Sequence, residues 1–391
     1  MKIVGNLVLP DRILYGGEIT LESGRIAEIK PGEKPENGAI LPYVLPGLVD
    51  IHNHGAEGFD YMDASPEAFE AISRHLLKCG VTTAQCTTVS APVEKILSFL
   101  RFFRSWRKEH AGDRTHCRFC GVHLEGPYLS KERRGAHPLE ALQTSADGYE
   151  WVLENSDVVR EITVAPELDG SGQMIAAFRR AGITVSGGHD DAEIEDVERA
   201  VRNGMSHCTH LYCAMSSLHK TGSERRCGLT EYAMTHREIT AEIIADNHHI
   251  PPLLAQMIYS CKGADGLCIV SDAISPAGLP ESGELYTLGS EGDHATRVFV
   301  ENGVALVEDK SCYAGSVQAL DQMISNLVKD ANIPLVDAVR MATLTPASVI
   351  GIEGDCGSLK VGKRADLCLM DAGLNVVKTM VEGETVYERD R

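Results

Sequence analysis

GITVSGGHDDAEIEDVERAVRNGMSHCTHLY, residues 182–212, decides how this chain folds. ITVSGGH (183–189) is a short apolar run that ends on a histidine. EIEDVERAVRNG (193–204) has helical spacing, with Ile194, Val197 and Val201 on one face, and it stops at Gly204, a usual C-terminal helix signal. SHCTHLY (206–212) is a second short run, again carrying a histidine near its end. Run, helix and run make one β-α repeat.

The same alternation extends outward in both directions. Upstream lie VLPGLVDIH (44–52), TTAQCTTVS (82–90), FCGVHLEGP (119–127) and EITVAPE (161–167); downstream lie ITAEIIAD (239–246) and GLCIVSD (266–272). Helical stretches such as PEAFEAISRHLLKCG and GQMIAAFRRAG separate most of them. Eight β-α repeats predict an α/β fold of the (β/α)8 TIM-barrel type, although a doubly wound sheet has similar local patterns. Roughly 274–313 reads as an irregular insertion after the eighth strand, followed by helices over 316–331 and 335–344.

The two ends have another character. KIVGNLVLP, RILYGGEITLESGRIAEI and AILPYVLPG carry alternating apolar residues broken by Gly turns, and GSLKVGKRADLCLMD and VVKTMVEGETVYE repeat the pattern at the tail. Neither piece can bury a core alone. The expected organisation is therefore a small β-sandwich domain built from both termini (1–47 and 351–391) around a catalytic barrel (48–350).

A chain of 391 residues with 43% hydrophobic residues can bury such a core. Its formal net charge of -19 opposes any sequence-independent grip on nucleic acid or an anionic membrane. The sequence shows no apolar run of membrane-spanning length, and MKIVGNLVLPDRILYGG, without a long apolar core or a small-residue cleavage site, does not read as a signal peptide. The 12 cysteines read as reduced thiols of a cytoplasmic protein, and Cys117 and Cys120 form a CxxC without the second pair of a zinc ribbon.

The polar residues that need explaining fall at the C-terminal ends of the strands, where barrel enzymes assemble their sites. Strand one ends in Asp50-Ile51-His52-Asn53-His54, strand three in His123-Leu124-Glu125 and strand five in His189. Strand six ends in His210, strand seven in Asp246 to His249, and strand eight in Asp272. Burying so many titratable groups together is costly unless a cation or a network satisfies them. His52 and His54, two apart on a strand, point to one face. Imidazoles with one carboxylate suit Zn2+ or Fe2+, and three protein ligands leave room for a water whose pKa the metal lowers. Asp272 fits a general acid–base that takes a proton from that water and returns it to the leaving nitrogen.

These motifs resemble the N-acetylglucosamine-6-phosphate deacetylase family of the amidohydrolase superfamily, nearly end to end. PGLVDIHNHG is similar to the first-strand motif of the family and HLEGPYLS to its most distinctive one. SGGH, THLYCAM, IADNHH, SDAISPAG, the AGS at the start of the helix expected from 316 and GSLKVGKRADLCLMD match as well. The resemblance implies hydrolysis of the N-acetyl group of an amino-sugar phosphate. It implies Glu125, His189 and His210 as ligands of a main metal, and His52 and His54 as the pair some members use for a second, hence one or two ions per subunit. It implies Asp272 as acid–base, His137 as the group polarising the substrate carbonyl, and His249 as a sugar contact. The backbone at Cys213 and Ala214 corresponds to the segment cradling the phosphate. Arg225 or Arg226 corresponds to the arginine that completes the phosphate site from the partner subunit of a homodimer.

The chain departs from the family where the sugar phosphate should sit. Cys213 replaces an asparagine, Asn247 a glycine, and REPG becomes Arg225-Arg226-Cys227-Gly228. The alternatives are a deacetylase of N-acetylgalactosamine 6-phosphate or an unphosphorylated sugar, a cyclic-amide hydrolase of the same superfamily, and a non-catalytic binding protein on the same fold. Cyclic-amide hydrolases typically place a carboxylated lysine at the end of strand four, and here that strand ends in Val164-Ala165-Pro166-Glu167. A non-catalytic protein has little need for Asp272 beside a full ligand set.

Overall fold

The computed structural model describes residues 1–32, 40–169, 172–289 and 295–389. Eight parallel strands follow one another in chain order around a single sheet. They are β1 (Leu48–Asp50), β2 (Val81–Thr88), β3 (Arg118–Glu125), β4 (Val159–Val164), β5 (Thr184–Gly187), β6 (His207–Cys208), β7 (Thr240–Ile243) and β8 (Leu267–Ile269). Each strand pairs with the next, as expected where every connection is a right-handed crossover.

The first and last strands are joined at their C-terminal ends rather than by a regular ladder. Ser271 Oγ donates to Asp50 Oδ2 at 2.6 Å, Asp272 N to His52 O at 2.9 Å, and His54 N to Ala273 O at 2.7 Å. Asp50, the Asp of PGxxDxHxH, is thus a fully buried clasp across the barrel seam. Its partners on β8 are the residues that lead into Asp272.

The run 44–52, expected as one strand, divides at Gly47. Tyr43–Pro46 belongs to a second sheet, and Leu48–Asp50 to the barrel. The crossing needs a residue without a side chain: a Cβ at position 47 would lie 2.1 Å from Thr82 Oγ1. The second sheet has seven strands from both termini: Glu384–Glu388, Val376–Val381, Leu367–Met370, Tyr43–Pro46, Lys2–Val8, Ile13–Glu22 and Arg25–Pro31, in that spatial order. The expected small β-domain takes the form of this one mixed sheet. Its apolar cluster, which includes Leu7, Ile19, Ile26, Val44 and Leu367, is separate from that of the barrel.

The insertion after β8 is more regular than expected. Tyr286–Leu288, Thr296–Glu301 and Val304–Val307 form a three-stranded antiparallel sheet, and residues 290–294 lie outside the described chain. Its second turn is Asn302-Gly303, both in the left-handed region (φ 55° and 76°), the pair that favours a two-residue hairpin. The two helices that follow are shorter than expected, Leu320–Lys329 and Leu335–Met341, with a third turn-like helix at Leu344–Val349. Between β3 and β4 the chain makes a long loop with two 3-10 turns, Leu139–Ala141 and Ser145–Asp147, and one short α-helix, Glu150–Leu153, and this loop carries His137 over the barrel mouth.

Candidate active site

The strand ends converge on Glu125, the last residue of β3. Its Oε1 lies 2.9 Å from His210 Nε2, 3.1 Å from His189 Nε2 and 3.5 Å from His52 Nε2. Its Oε2 lies 3.3 Å from His54 Nε2 and 3.2 Å from His137 Nε2. Asp272 Oδ1 approaches the same centre, 3.2 Å from His54 Nε2 and 3.5 Å from His52 Nε2. Five imidazoles and two carboxylates from separate regions of the chain therefore share one small volume, all of them buried.

Backbone conformation helps to aim them. His189 (φ 47°), His210 (φ 22°) and Asp272 (φ 46°) adopt left-handed conformations just past β5, β6 and β8. Such conformations cost on the order of 1–3 kcal/mol each and persist where surrounding structure enforces them. For Asp272 the enforcement is visible. Ser316 N donates to Asp272 O at 2.8 Å, and at Gly315 an added Cβ would lie 2.6 Å from that oxygen. The AGS motif is thus the strap that holds Asp272.

Groups behind the histidines fix their rings. His189 Nδ1 lies 2.9 Å from Arg133 O, and His52 Nδ1 lies 2.9 Å from Glu242 Oε2. A carbonyl and an ionised carboxylate only accept, so both Nδ1 atoms carry hydrogen. Without a further proton each Nε2 is a bare lone pair facing Glu125 Oε1, another acceptor, and, against the effect of burial, the carboxylates of Glu242, Glu125 and Asp272 draw positive charge onto His52. Acceptor facing acceptor in a buried site is unfavourable, and a cation between them resolves it.

The electrostatics agree. Burial pushes the His54 imidazole down, but hydrogen bonds to Asp272 and Glu125 outweigh it and hold the ring up at about 9. Burial pushes the Asp272 and Glu125 carboxyls up, and the neighbouring histidines overcome this and keep both below the ordinary carboxylate range. The site favours positive charge at its centre. The donor set of imidazole nitrogens with one shared carboxylate fits a borderline transition metal better than Mg2+ or Ca2+.

His137 differs from the other four. Ser90 N donates to its Nδ1 at 3.1 Å, so the ring hydrogen is on Nε2, which faces the cavity. Burial pushes its pKa down to about 4 against the pull of Glu125, so the ring is neutral near pH 7. A neutral N–H aimed into the site can donate to a developing oxyanion.

Above the cluster opens a cavity of about 690 Å3 whose lining includes Tyr212, Cys213, Ala214, His249, Asp272 and Tyr313. His249 is held by Asp246, Nδ1 to Oδ2 at 2.8 Å, and its ring lies 4.9 Å from that of Tyr313. Glu167, at the end of the fourth strand, faces away and accepts from Asp191 N at 2.9 Å.

Arg225 and Arg226 do not line the cavity. They lie on a hairpin, His219–Thr221 with Glu224–Arg226, where Arg225 is exposed and Arg226 pairs with Glu193 at 3.5 Å. The basic residues that do line it are Lys131, Arg133 and Arg134. The sequence reading missed Glu242, Ser90 and Arg133 as supports. Glu242 does leave a trace, a carboxylate inside the apolar run ITAEIIAD. Ser90 and the Arg133 carbonyl leave none.

Fold and site together define a metal-dependent hydrolase on a (β/α)8 barrel. The Amidohydrolase family model matches residues 43–386. The chain is 31% identical to the N-acetylglucosamine-6-phosphate deacetylase of Vibrio furnissii, over 96% of this chain and 94% of that protein. It is 29% identical to the N-acetylgalactosamine-6-phosphate deacetylase of Escherichia coli O157:H7, over 94% of each. The structure of N-acetylglucosamine-6-phosphate deacetylase from Thermotoga maritima superposes with a TM-score of 0.88 at 30% identity, covering 100% of both chains. That of a mutant enzyme from Mycobacterium smegmatis in complex with N-acetyl-D-glucosamine-6-phosphate superposes at 0.87 with 27% identity, covering 99% of both. The chain belongs to the amidohydrolase family, and within it to the N-acetylglucosamine-6-phosphate deacetylases. No described helix is long and apolar enough to cross a membrane.

Proposed function

We propose that this enzyme hydrolyses N-acetylglucosamine 6-phosphate to glucosamine 6-phosphate and acetate. The observation that carries the chemistry is the convergence of His189, His210 and His52 on Glu125, with Asp272 beside them. Glu125, His189 and His210 hold the main metal, and His52 and His54 a second where one is bound. The metal, zinc or ferrous iron by donor chemistry, supplies a nucleophilic water near neutral pH and polarises the amide oxygen.

The remaining steps belong to the chain's own residues. Asp272, ionised and facing the centre, accepts the proton of the attacking water and passes it to the amide nitrogen as the C–N bond breaks. His137 donates from Nε2 to the carbonyl oxygen as charge develops there. Cys213, Ala214 and His249 contact the sugar phosphate, and burial pushes the Cys213 thiol up so that it stays neutral. This reading keeps the division of the chain into 1–47, 48–350 and 351–391, supported by the separate seven-stranded sheet.

The working form is a cytoplasmic homodimer. Its support is apolar surface without cover in one subunit: Leu253 and Met257, four apart on the helix Pro252–Lys262, are 77% and 46% exposed, and Leu218, beside the arginine hairpin, is 57% exposed. In that dimer Arg225 or Arg226 reaches the phosphate of the neighbouring site, where a planar guanidinium can bind two oxygens.

A panel of phosphorylated and unphosphorylated N-acetyl-glucosamine, -galactosamine and -mannosamine, assayed for acetate, tests the reading. The glucosamine 6-phosphate derivative is expected to give the highest kcat/KM. A preference for the galactose epimer would assign the chain to the activity of its Escherichia coli relative. Alanine at the phosphate-binding arginine raises KM for the phosphorylated sugar alone; equal effects on both forms would remove that arginine from the phosphate site.

A further inference from the structure

The turn between the helix Val93–Glu109 and β3 brings His110, Asp113 and His116 together, away from the rim. A ring nitrogen of each histidine and a carboxylate oxygen of Asp113 lie within 4.8 Å of one another. The turn enters β3 at Arg118, and Glu125 is at the other end of that strand. Eight extended residues span roughly 26 Å, so the two clusters are separate sites.

The three side chains are already held in place. His110 stacks on Trp106, with ring centroids 3.7 Å apart and planes at 18°. Its Nδ1 lies 3.0 Å from Trp106 O, so Nδ1 carries the hydrogen and Nε2 presents a lone pair. Asp113 Oδ1 accepts from both the backbone N and Oγ1 of Thr115 at 2.7 Å, which leaves Oδ2 for His116, 2.8 Å from Nδ1. Among the described residues Asp113 has no lysine or arginine within ion-pair distance. The Asp113–Thr115 bonds alone are enough to close the turn. The His116–Asp113 bond places the second histidine, but His110, held by Trp106, is brought beside the same carboxylate with no hydrogen bond to it among the described residues, and all three side chains are half-buried and still reachable by solvent.

We propose that His110, Asp113 and His116 form a peripheral site for a borderline divalent cation, Zn2+ or Ni2+, bound by two imidazole nitrogens and one carboxylate oxygen. Water completes the shell, as in other three-ligand sites. The ion clips the end of the helix to the start of the strand that carries Glu125, and takes no part in the hydrolysis.

Trp106 reports the binding. The chain has two tryptophans, and Trp151→Phe leaves Trp106 as the one emitter. The metal-loaded enzyme in this background is titrated with NiCl2, because copper would react with the exposed thiols Cys227 and Cys261. The expected result is saturable quenching of Trp106, reversed by ZnCl2, with one further nickel per chain by elemental analysis. His116→Ala and Asp113→Asn each move the midpoint by about tenfold or more, as loss of a ligand should, while acetate release is unchanged. Both side chains are about a quarter exposed (24% and 27%), and circular dichroism checks that each variant is folded. His110→Ala adds a third test where its loss of stacking is tolerated. Quenching that does not saturate, an unchanged midpoint in both folded variants, or no additional nickel overturns the proposal.

Discussion

At the rim of the barrel, His189 Nε2 and His210 Nε2 stand 3.1 Å apart and share one oxygen of Glu125. In the layer beneath, hydroxyls link many of the buried polar groups. His123 Nε2 meets Thr163 Oγ1 at 2.7 Å, Thr163 meets Thr209 at 2.8 Å, and Thr209 meets Ser186 at 2.6 Å. His207 Nδ1 meets Thr240 Oγ1 at 2.6 Å, and Gln85 donates to Glu161 at 2.8 Å. Both layers are buried and both contain histidine and glutamate. Hydroxyls can donate or accept, so these links adjust their hydrogens to suit each neighbour, while His123 Nδ1, His207 Nε2, Gln85 Oε1 and Glu161 Oε1 have no hydrogen-bond partner among the described residues. The upper layer lacks such adaptors between its inward-facing nitrogens, which face one another and a carboxylate; Ser90 Oγ meets His137 only on its outer nitrogen, Nδ1. A buried histidine in a barrel is therefore weak evidence of a metal. Ring nitrogens that converge without a hydroxyl between them are strong evidence.

The largest test of that contrast is Asp272→Asn. Turnover should fall by ~10²–10⁴ while metal content stays at the wild-type level, since the variant keeps the size of the side chain and loses its proton transfer. Acetate release measured beside elemental analysis checks it, and a metal-replete variant with near-normal activity would remove Asp272 from the chemistry. Glu125→Ala, His189→Ala and His210→Ala come next. Each should weaken metal binding by more than about 100-fold, beyond the usual effect of an outer-sphere group; full occupancy in all three would mean the wrong ligands.

Glu242 joins the two layers, since it accepts from His52 above and faces His207 below at 3.5 Å. Glu242→Leu should reduce metal affinity by about 10–100-fold, and Glu242→Gln, whose carbonyl still accepts from Nδ1, should recover most of it. Identical behaviour of the Leu and Gln variants would show that Glu242 does not orient the ring. The smallest effect belongs to the lower layer. Thr163→Val takes the hydrogen-bond partner from His123 Nε2 and one of two from Thr209, which keeps Ser186, and should lower stability by about 1–3 kcal/mol in chemical denaturation, with metal content unchanged. If this variant loses metal as the Glu125 variant does, the two layers act as one unit and the distinction drawn above fails.

Much of this molecule is legible in its sequence because barrel chemistry sits at strand ends, and strand ends are marked by the change from apolar to polar residues. Glu125, His189, His210 and Asp272 each follow such a run directly. What the sequence hides is set by contacts between distant segments. The split at Gly47 depends on Thr82, and the ring orientation of His137 depends on Ser90, 47 residues away. The hairpin at Asn302-Gly303 has a local signal, but Pro276, Gly278, Pro280 and Gly283 precede it and give the whole insertion an irregular look. Arg225 and Arg226 lie outside the cavity lining, on an exposed hairpin, so the fold of the single chain does not bring them to the cluster.

The seven-stranded sheet imposes an order of events during synthesis. Tyr43–Pro46 pairs on one side with Lys2–Val8, made just before it, and on the other with Leu367–Met370, made after the entire barrel. At ribosomal speeds the intervening chain takes roughly 15–60 s to emerge. Throughout that time the first half of the sheet carries an open hydrogen-bonding edge, the kind of surface on which nascent chains stick to one another. A message truncated anywhere before the codon for Leu367 would leave that edge permanently unpaired. Such a product should be aggregation-prone even with every residue of the rim cluster translated, so yield in the cell will depend on the last few strands as much as on the centre they never touch.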